Sequence, residues 1–223
     1  MRPGPTIIRK CSACEKSITQ RTITSGNTFG ATYFTDGKRI APMLPDQPLL
    51  VLCPHCRASL WIEELENLGA VRAGGEAQQR WRDARVYETP SRNDYFALLA
   101  KGLADPKKER YLRLRAWWAG NDERRTEASE IPLSSIETAN LIALAQMLHE
   151  SDDRDLLQKA EVMRELGRFD DALLLLATSE SDKIAQAVTI IKNLALHRDP
   201  QVRRMHFSDQ RGAQKMQAPG ADV

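Results

Sequence analysis

Four residues in this chain have the type and spacing to hold a metal ion: Cys11, Cys14, Cys53 and Cys56, the only cysteines among 223 residues. They form two C-x-x-C pairs. Such a turn brings two thiolates within reach of one ion, and two turns supply the four tetrahedral sulfur ligands that Zn²⁺ takes at roughly 2.3 Å. None of the cysteines lies where a disulfide framework would need it, and in a reducing compartment paired thiols serve metal or redox chemistry. The flanks repeat as well. "TIIRKCSACEKSI" and "PLLVLCPHCRASL" align Ile7 with Leu49, Ile8 with Leu50, Ser17 with Ser59 and Ile18 with Leu60. Each turn is therefore expected to join two short strands, so that two similar knuckles face each other across one ion. A redox dithiol usually comes singly within a βαβ pattern, which this region lacks. A catalytic zinc would need an open coordination position. His55, inside the second knuckle, is read as a solvent-facing turn residue rather than a replacement ligand.

The paired knuckles resemble a zinc ribbon, which implies one structural Zn²⁺ held by Cys11, Cys14, Cys53 and Cys56. The segment between the pairs is longer than the roughly 15 to 20 residues of the common four-cysteine spacing. Its middle reads as strand: "SITQRTIT" is rich in β-branched residues, and "TFGATYF" alternates Phe29, Ala31 and Tyr33 on one face. Asp36-Gly37 supplies a hairpin turn. "LWIEELENLGA" continues as a last short strand and a helix turn.

These elements must be positioned by the rest of the chain, where the period becomes helical. "SRNDYFALLAKGL" starts near Ser91 or Asn93, and "DPKKERYLRLRAWWAGND" has Asp105 as N-cap with Pro106 at the first helical position. Tyr111, Leu114 and Trp118 form the expected stripe of that helix, and Gly120 is expected to end it. Trp117 and Trp118 point about 100° apart, so one belongs to the core and the other to a groove or a surface. After Pro132, "SSIETANLIALAQMLHE", "DRDLLQKAEVMREL", "RFDDALLLLATS" and "SDKIAQAVTIIKNLALH" read as four helices with short turns, which forces antiparallel neighbours. Within them "DLLQKAEVMRELGRFDDALLLL" resembles a tetratricopeptide-type hairpin, with Ala160, Gly167, Phe169 and Ala172 at its small and aromatic positions. The resemblance covers one unit, about residues 152 to 180. The expected fold class is α+β: residues 1–68 a small N-terminal β zinc ribbon, 69–90 a connecting segment, 91–199 an all-α, antiparallel, repeat-like helical bundle, and 200–223 a disordered tail.

Hydrophobic residues make up 42% of the chain and charged residues 28%, a globular composition. No apolar run approaches the roughly 18 residues of a membrane span, and the first residues carry no secretory pattern, so a cytoplasmic location and no membrane partner are expected. The net charge of +2 is unevenly placed: residues 1–60 carry eight Lys/Arg against three Asp/Glu, and residues 131–199 carry seven against twelve. Four thiolates around Zn²⁺ sum to −2, so the head falls from +5 to about +3 with metal bound. None of the four histidines, His55, His149, His197 and His206, pairs with a cysteine or carboxylate in a catalytic motif, and no phosphate-binding glycine loop is present. The expected role is a non-enzymatic zinc-binding adaptor or regulator that takes a protein partner through its helices, its ribbon or both. The alternative is nucleic-acid binding by the head, with Arg9, Lys10, Lys16, Arg21, Lys38, Arg39 and Arg57 meeting phosphates and Phe29, Tyr33 or Phe34 stacking on bases.

Overall fold

The computed structural model describes residues 1–72, 75, 81–125 and 131–207. The fold is mixed α+β, with strands concentrated in the N-terminal part and six helices following. The chain forms two compact units that interleave in sequence. Met1–Ala31 and Ile40–Ser91 make the first; Thr32–Arg39 belongs with the chain from Arg92 onward and makes the second.

In the first unit β1 (Arg2–Lys10) and β2 (Ser17–Ser25) run antiparallel through the first knuckle, with Lys10 opposite Ser17 and Ile8 opposite Thr19. After β3 (Thr32–Phe34) and β4 (Arg39–Ile40), β5 (Leu50–Leu52) pairs antiparallel with β6 (Ser59–Trp61) through the second knuckle. A single 3₁₀ turn, Ile62–Glu64, leads to β7 (Asn67–Val71), which lies on the other side of β1, and β8 (Arg85–Val86) runs parallel to β2. One buried cluster gathers Cys11, Ile18, Val51, Cys53, Leu60, Ile62 and Leu65, so two of its members are thiols; Ile8, Leu50, Leu52 and Trp81 are buried as well.

The second unit consists of α1 (Arg92–Leu99), α2 (Pro106–Asn121), α3 (Ser135–Gln146), α4 (Asp153–Glu165), α5 (Phe169–Ala177) and α6 (Ala185–Leu196), each packed on its successor. The helix starts are chemically defined. Asp105 accepts from the Lys107 and Lys108 amides, and Asp152 accepts from those of Arg154 and Asp155. Ser134 and Glu137 close a capping box on α3. The core gathers Trp117, Leu141, Leu144, Leu148, Val162, Met163 and Phe169 around the small residues Ala145, Ala172 and Ala195.

Into this unit the chain sends a hairpin. β3 and β4 are joined by a turn in which Gly37 takes φ +79°, as the Asp-Gly pair implies, and β3 also pairs antiparallel with β9 (Arg204–Met205). Asp36 is fully buried. Its carboxylate takes two hydrogen bonds from Arg125, at 3.1 and 2.6 Å, and one from Asn121 at 3.1 Å, while its carbonyl accepts from Trp118 Nε1 at 3.0 Å. The Arg125 guanidinium lies over the Phe34 ring, 4.4 Å from its centroid. Thr35 exchanges backbone and hydroxyl hydrogen bonds with Arg203 and receives one from Arg164. Arg164, itself without exposed surface, also donates to both Glu161 oxygens and to the carbonyls of Asp199 and Gln201.

The arrangement corrects several sequence expectations. Residues 32–39 leave the strand unit for the helical one because a buried Asp needs a cation and N–H donors, and Asn121 at the end of α2 and Arg125 shortly after it supply them. Of the expected connecting segment, Gly69, Ala70 and Val71 and the residues of β8 are strand, held by backbone ladders that need no apolar period; residues 73, 74 and 76–80 lie outside the described residues. Of the expected disordered tail, residues 200–207 carry β9 and the buried Val202 and Met205, and residues 208–223 lie outside the described residues. Phe29 does not share a strand face with Tyr33: it is 75% exposed beside Gly30, at φ +72°. The buried face of α2 runs through Leu112, Ala116 and Trp117, not through Tyr111 and Trp118, because Trp117 reaches the core and donates to Glu165 at 2.9 Å. Gly120 lies within the helix. A Cβ there would stand 2.4 Å from Glu137 Oε1, so glycine serves close approach rather than termination.

Candidate metal centre

The two knuckles repeat each other atom for atom. In the first, the Cys11 amide donates to Lys16 O at 3.0 Å and the Glu15 amide to Cys11 O at 2.9 Å; in the second, the Cys53 amide donates to Ala58 O and the Arg57 amide to Cys53 O, both at 2.9 Å. Glu15 and Arg57 occupy the same left-handed position, at φ 61° and 63°. The Ala13 amide points at Cys11 Sγ, 3.4 Å away, and the His55 amide at Cys53 Sγ, 3.5 Å away. These N–H groups are what a thiolate requires, since each stabilises negative charge on sulfur. The strand pairs β1/β2 and β5/β6 set the two turns at the ends of hairpins, so the backbone ladders fix where the sulfurs lie.

All four Sγ atoms fall within 4.8 Å of one another. Across the two knuckles, Cys14 and Cys53 are 3.7 Å apart and Cys11 and Cys56 3.9 Å. A tetrahedron with metal–sulfur bonds of roughly 2.3 Å has edges of about 3.8 Å. The donor set thus fits one tetrahedral ion with four thiolates, and the cysteines singled out by spacing are the ones brought together. Cys11 and Cys53 are buried, Cys14 half-buried and Cys56 exposed. Burial pushes the Cys53 thiol up to about 12, against the pull of the His55 and Cys56 amides. A metal loading this site must therefore displace a proton from Cys53, which makes binding tighter as pH rises.

His55 is not among the clustered ligands. Its ring is half-buried rather than solvent-facing, with Nε2 3.2 Å from Ser17 O, so it ties the second knuckle to the start of β2. A half-open groove of about 400 Å³ beside it is lined by Glu15, Lys16, Ser17, His55, Asp83, Ala84 and Arg85. Two acids and two bases balance there, so the groove selects neither sign of ligand.

Several basic residues of the head are engaged by their neighbours. Arg9 is spent on Gln20 and on Leu65 O, Lys10 lies between Glu15 and Glu66, and Arg57 pairs with Glu88. Lys38, Arg39, Tyr33 and Phe34 belong to the other unit, where Lys38 pairs with Asp122 and the two aromatic rings are buried. Sequence reasoning missed the buried polar and ionisable side chains of the helical unit: Asn121, Arg124, Arg125, Glu137, Glu161, Arg164 and Glu165. A local signal exists only for Glu137, through its capping box. Among the described residues no helix is long and apolar enough to cross a membrane. No protein-family model matches the chain, and neither a curated protein nor a solved structure is similar to it.

Proposed function

We propose that the protein is a non-enzymatic adaptor in which a structural Zn²⁺ on Cys11, Cys14, Cys53 and Cys56 holds a ribbon-like unit, and a repeat-like helical unit takes a protein partner. Four thiolates closing a tetrahedron leave no open position, which is the mark of a structural zinc. The repeat-like reading is supported where α4 meets α5: Ala160 and Ala172 are fully buried, and Gly167 turns the chain at φ +75°.

The observation that carries the partner is the outer face of α3. Its inner face buries Glu137, Asn140, Leu141, Leu144 and Ala145, yet Ile136, Ala139 and Ile142 stand outside, with Ile136 54% and Ile142 48% exposed. Helical spacing of three and four residues puts them with Ala143 on one stripe that carries no charge. An uncharged stripe left outside on a helix whose other face is already buried suits an apolar groove or helix of another protein better than a phosphate backbone. The test is affinity purification from the native cell with nuclease treatment in parallel, comparing the natural chain with Ile136→Glu/Ile142→Glu. The variant should keep its helical circular dichroism and lose its protein partners. Recovery of the same proteins by both chains, or partners that vanish with nuclease, would contradict the assignment.

A further inference from the structure

The hairpin Thr32–Arg39 is covalently part of the loop between the two knuckles, yet it is folded into the helical unit. Cys14 and Cys53, which face each other at 3.7 Å, are 39 residues apart, and the hairpin lies within that interval. We propose that the hairpin is an intramolecular ligand of the helical unit and that metal binding at the knuckles, by closing this loop, favours its docking. The inference rests on the metal reading above and goes beyond it.

With the metal bound, the ends of the loop are pinned, and the free chain has fewer conformations from which the hairpin must be recruited. With the metal gone, the small thiol-containing core around Cys11 and Cys53 loses its closure, and docking must order a longer free segment. What docking supplies is specific. Asp36 satisfies Arg125 and Asn121, Thr35 satisfies Arg164 and the Arg203 amide, and Phe34 lies under the Arg125 guanidinium. Without the hairpin Arg125 keeps only the half-exposed Asp122, Asn121 keeps Glu165 and Arg164 keeps Glu161 and two carbonyls, while the buried carboxylate over Arg125 and the hydroxyl that the Arg203 amide uses are lost. Metal occupancy and helix stability are then linked, and by thermodynamic necessity the linkage runs both ways.

The test uses the full chain and hydrogen exchange read by mass spectrometry. Metal content is measured first, because a chain that binds no Zn²⁺ removes the reading on which the proposal rests. Chelation of the loaded chain should expose β1 and β2, and the amides of α2 and α4 should exchange at least about tenfold faster. Asp36→Asn should show that faster exchange with metal still bound, and its affinity for Zn²⁺ in a chelator competition should fall severalfold. Should that variant not fold, Thr35→Val removes the hydroxyl that Arg164 and the Arg203 amide use and should give a smaller loss of the same kind. Unchanged exchange in α2 and α4 on chelation, with the metal site shown to be loaded beforehand, overturns the proposal. So does a variant that loosens the helices but binds Zn²⁺ with undiminished affinity.

Discussion

The two units are held by different means. In the strand unit one buried cluster includes two of the cysteines, and the same turn is built twice around four sulfurs. In the helical unit a larger apolar core surrounds charges that are themselves buried, Asp36 with Arg125, Glu137 with Arg124 and Glu161 with Arg164. A core that includes clustered thiols offers a place for an ion; a core that carries its own charges needs every one paired. The comparison teaches where each unit is vulnerable: the first to loss of a ligand, the second to loss of a partner.

The largest effect expected is therefore at the metal. Structural zinc contributes roughly 10 to 16 kcal/mol to folding in comparable small domains. Cys53→Ser with Cys56→Ser should unfold the strand unit outright, seen as loss of dispersed methyl signals from Ile8, Ile18 and Val51 in a nuclear magnetic resonance spectrum. A native-like spectrum in that variant would mean that burial alone holds the unit.

Next comes the buried pair. Asp36 has no exposed surface and Arg125 7%, so removing the carboxylate strands a buried cation. Asp36→Ala should cost about 3 to 5 kcal/mol in urea unfolding followed by circular dichroism at 222 nm. A loss under about 1 kcal/mol would place the pair among ordinary surface bridges. For the same reason a fragment of residues 91–199, which lacks the hairpin and β9, should be much less stable than its leucine content suggests.

A smaller and pH-dependent effect sits at Glu165. Burial, with the negative charges of Glu161 and Asp36, pushes its carboxyl up to about 8, against the Trp117 hydrogen bond and Arg164. From about pH 4.5 to 8 the folded chain keeps a proton that the unfolded chain has released, so raising the pH removes stability at up to about 1.4 kcal/mol per unit. Glu137 works in the opposite sense: although burial opposes it, Ser134 and Arg124 hold its carboxyl below the usual range, and its contribution is lost only as acid protonates it. Glu165→Gln keeps an acceptor for Trp117 and cannot ionise, so its urea midpoint should fall less between pH 6 and 8 than that of the natural chain. Parallel curves would show that Glu165 titrates normally.

The smallest effect is local. Asp105→Ala removes the acceptor for the Lys107 and Lys108 amides and should cost about 1 kcal/mol of helical stability.

How much of this was legible in the sequence follows the range of the interactions. The cysteine ligands, the matched flanks, the Asp36-Gly37 turn, the Asp105 cap and the order of the helices all depend on residues within a few positions of one another. The hairpin's place does not. Asp36 finds Arg125 across 89 residues, and Thr35 finds Arg203 across 168. Nothing adjacent to Asp36 marks it as buried, and no residue near Glu161, Arg164 and Glu165 in the sequence of α4 marks them as buried either. β9 is two residues long and has no period to detect. The exchange of Trp117 for Trp118 as the core residue has the same origin, since both fit a helical stripe and only the position of Glu165 on another helix decides.

The four sulfurs are where a bound metal is read most directly. Protein purified without added metal should contain close to one zinc per chain, and replacing it with Co²⁺ should give the intense visible absorption of a tetrahedral four-thiolate site, with all four cysteines shielded from alkylation until a chelator is added. A folded chain that carries no metal and alkylates freely at Cys11, Cys14, Cys53 and Cys56 would contradict the zinc assignment.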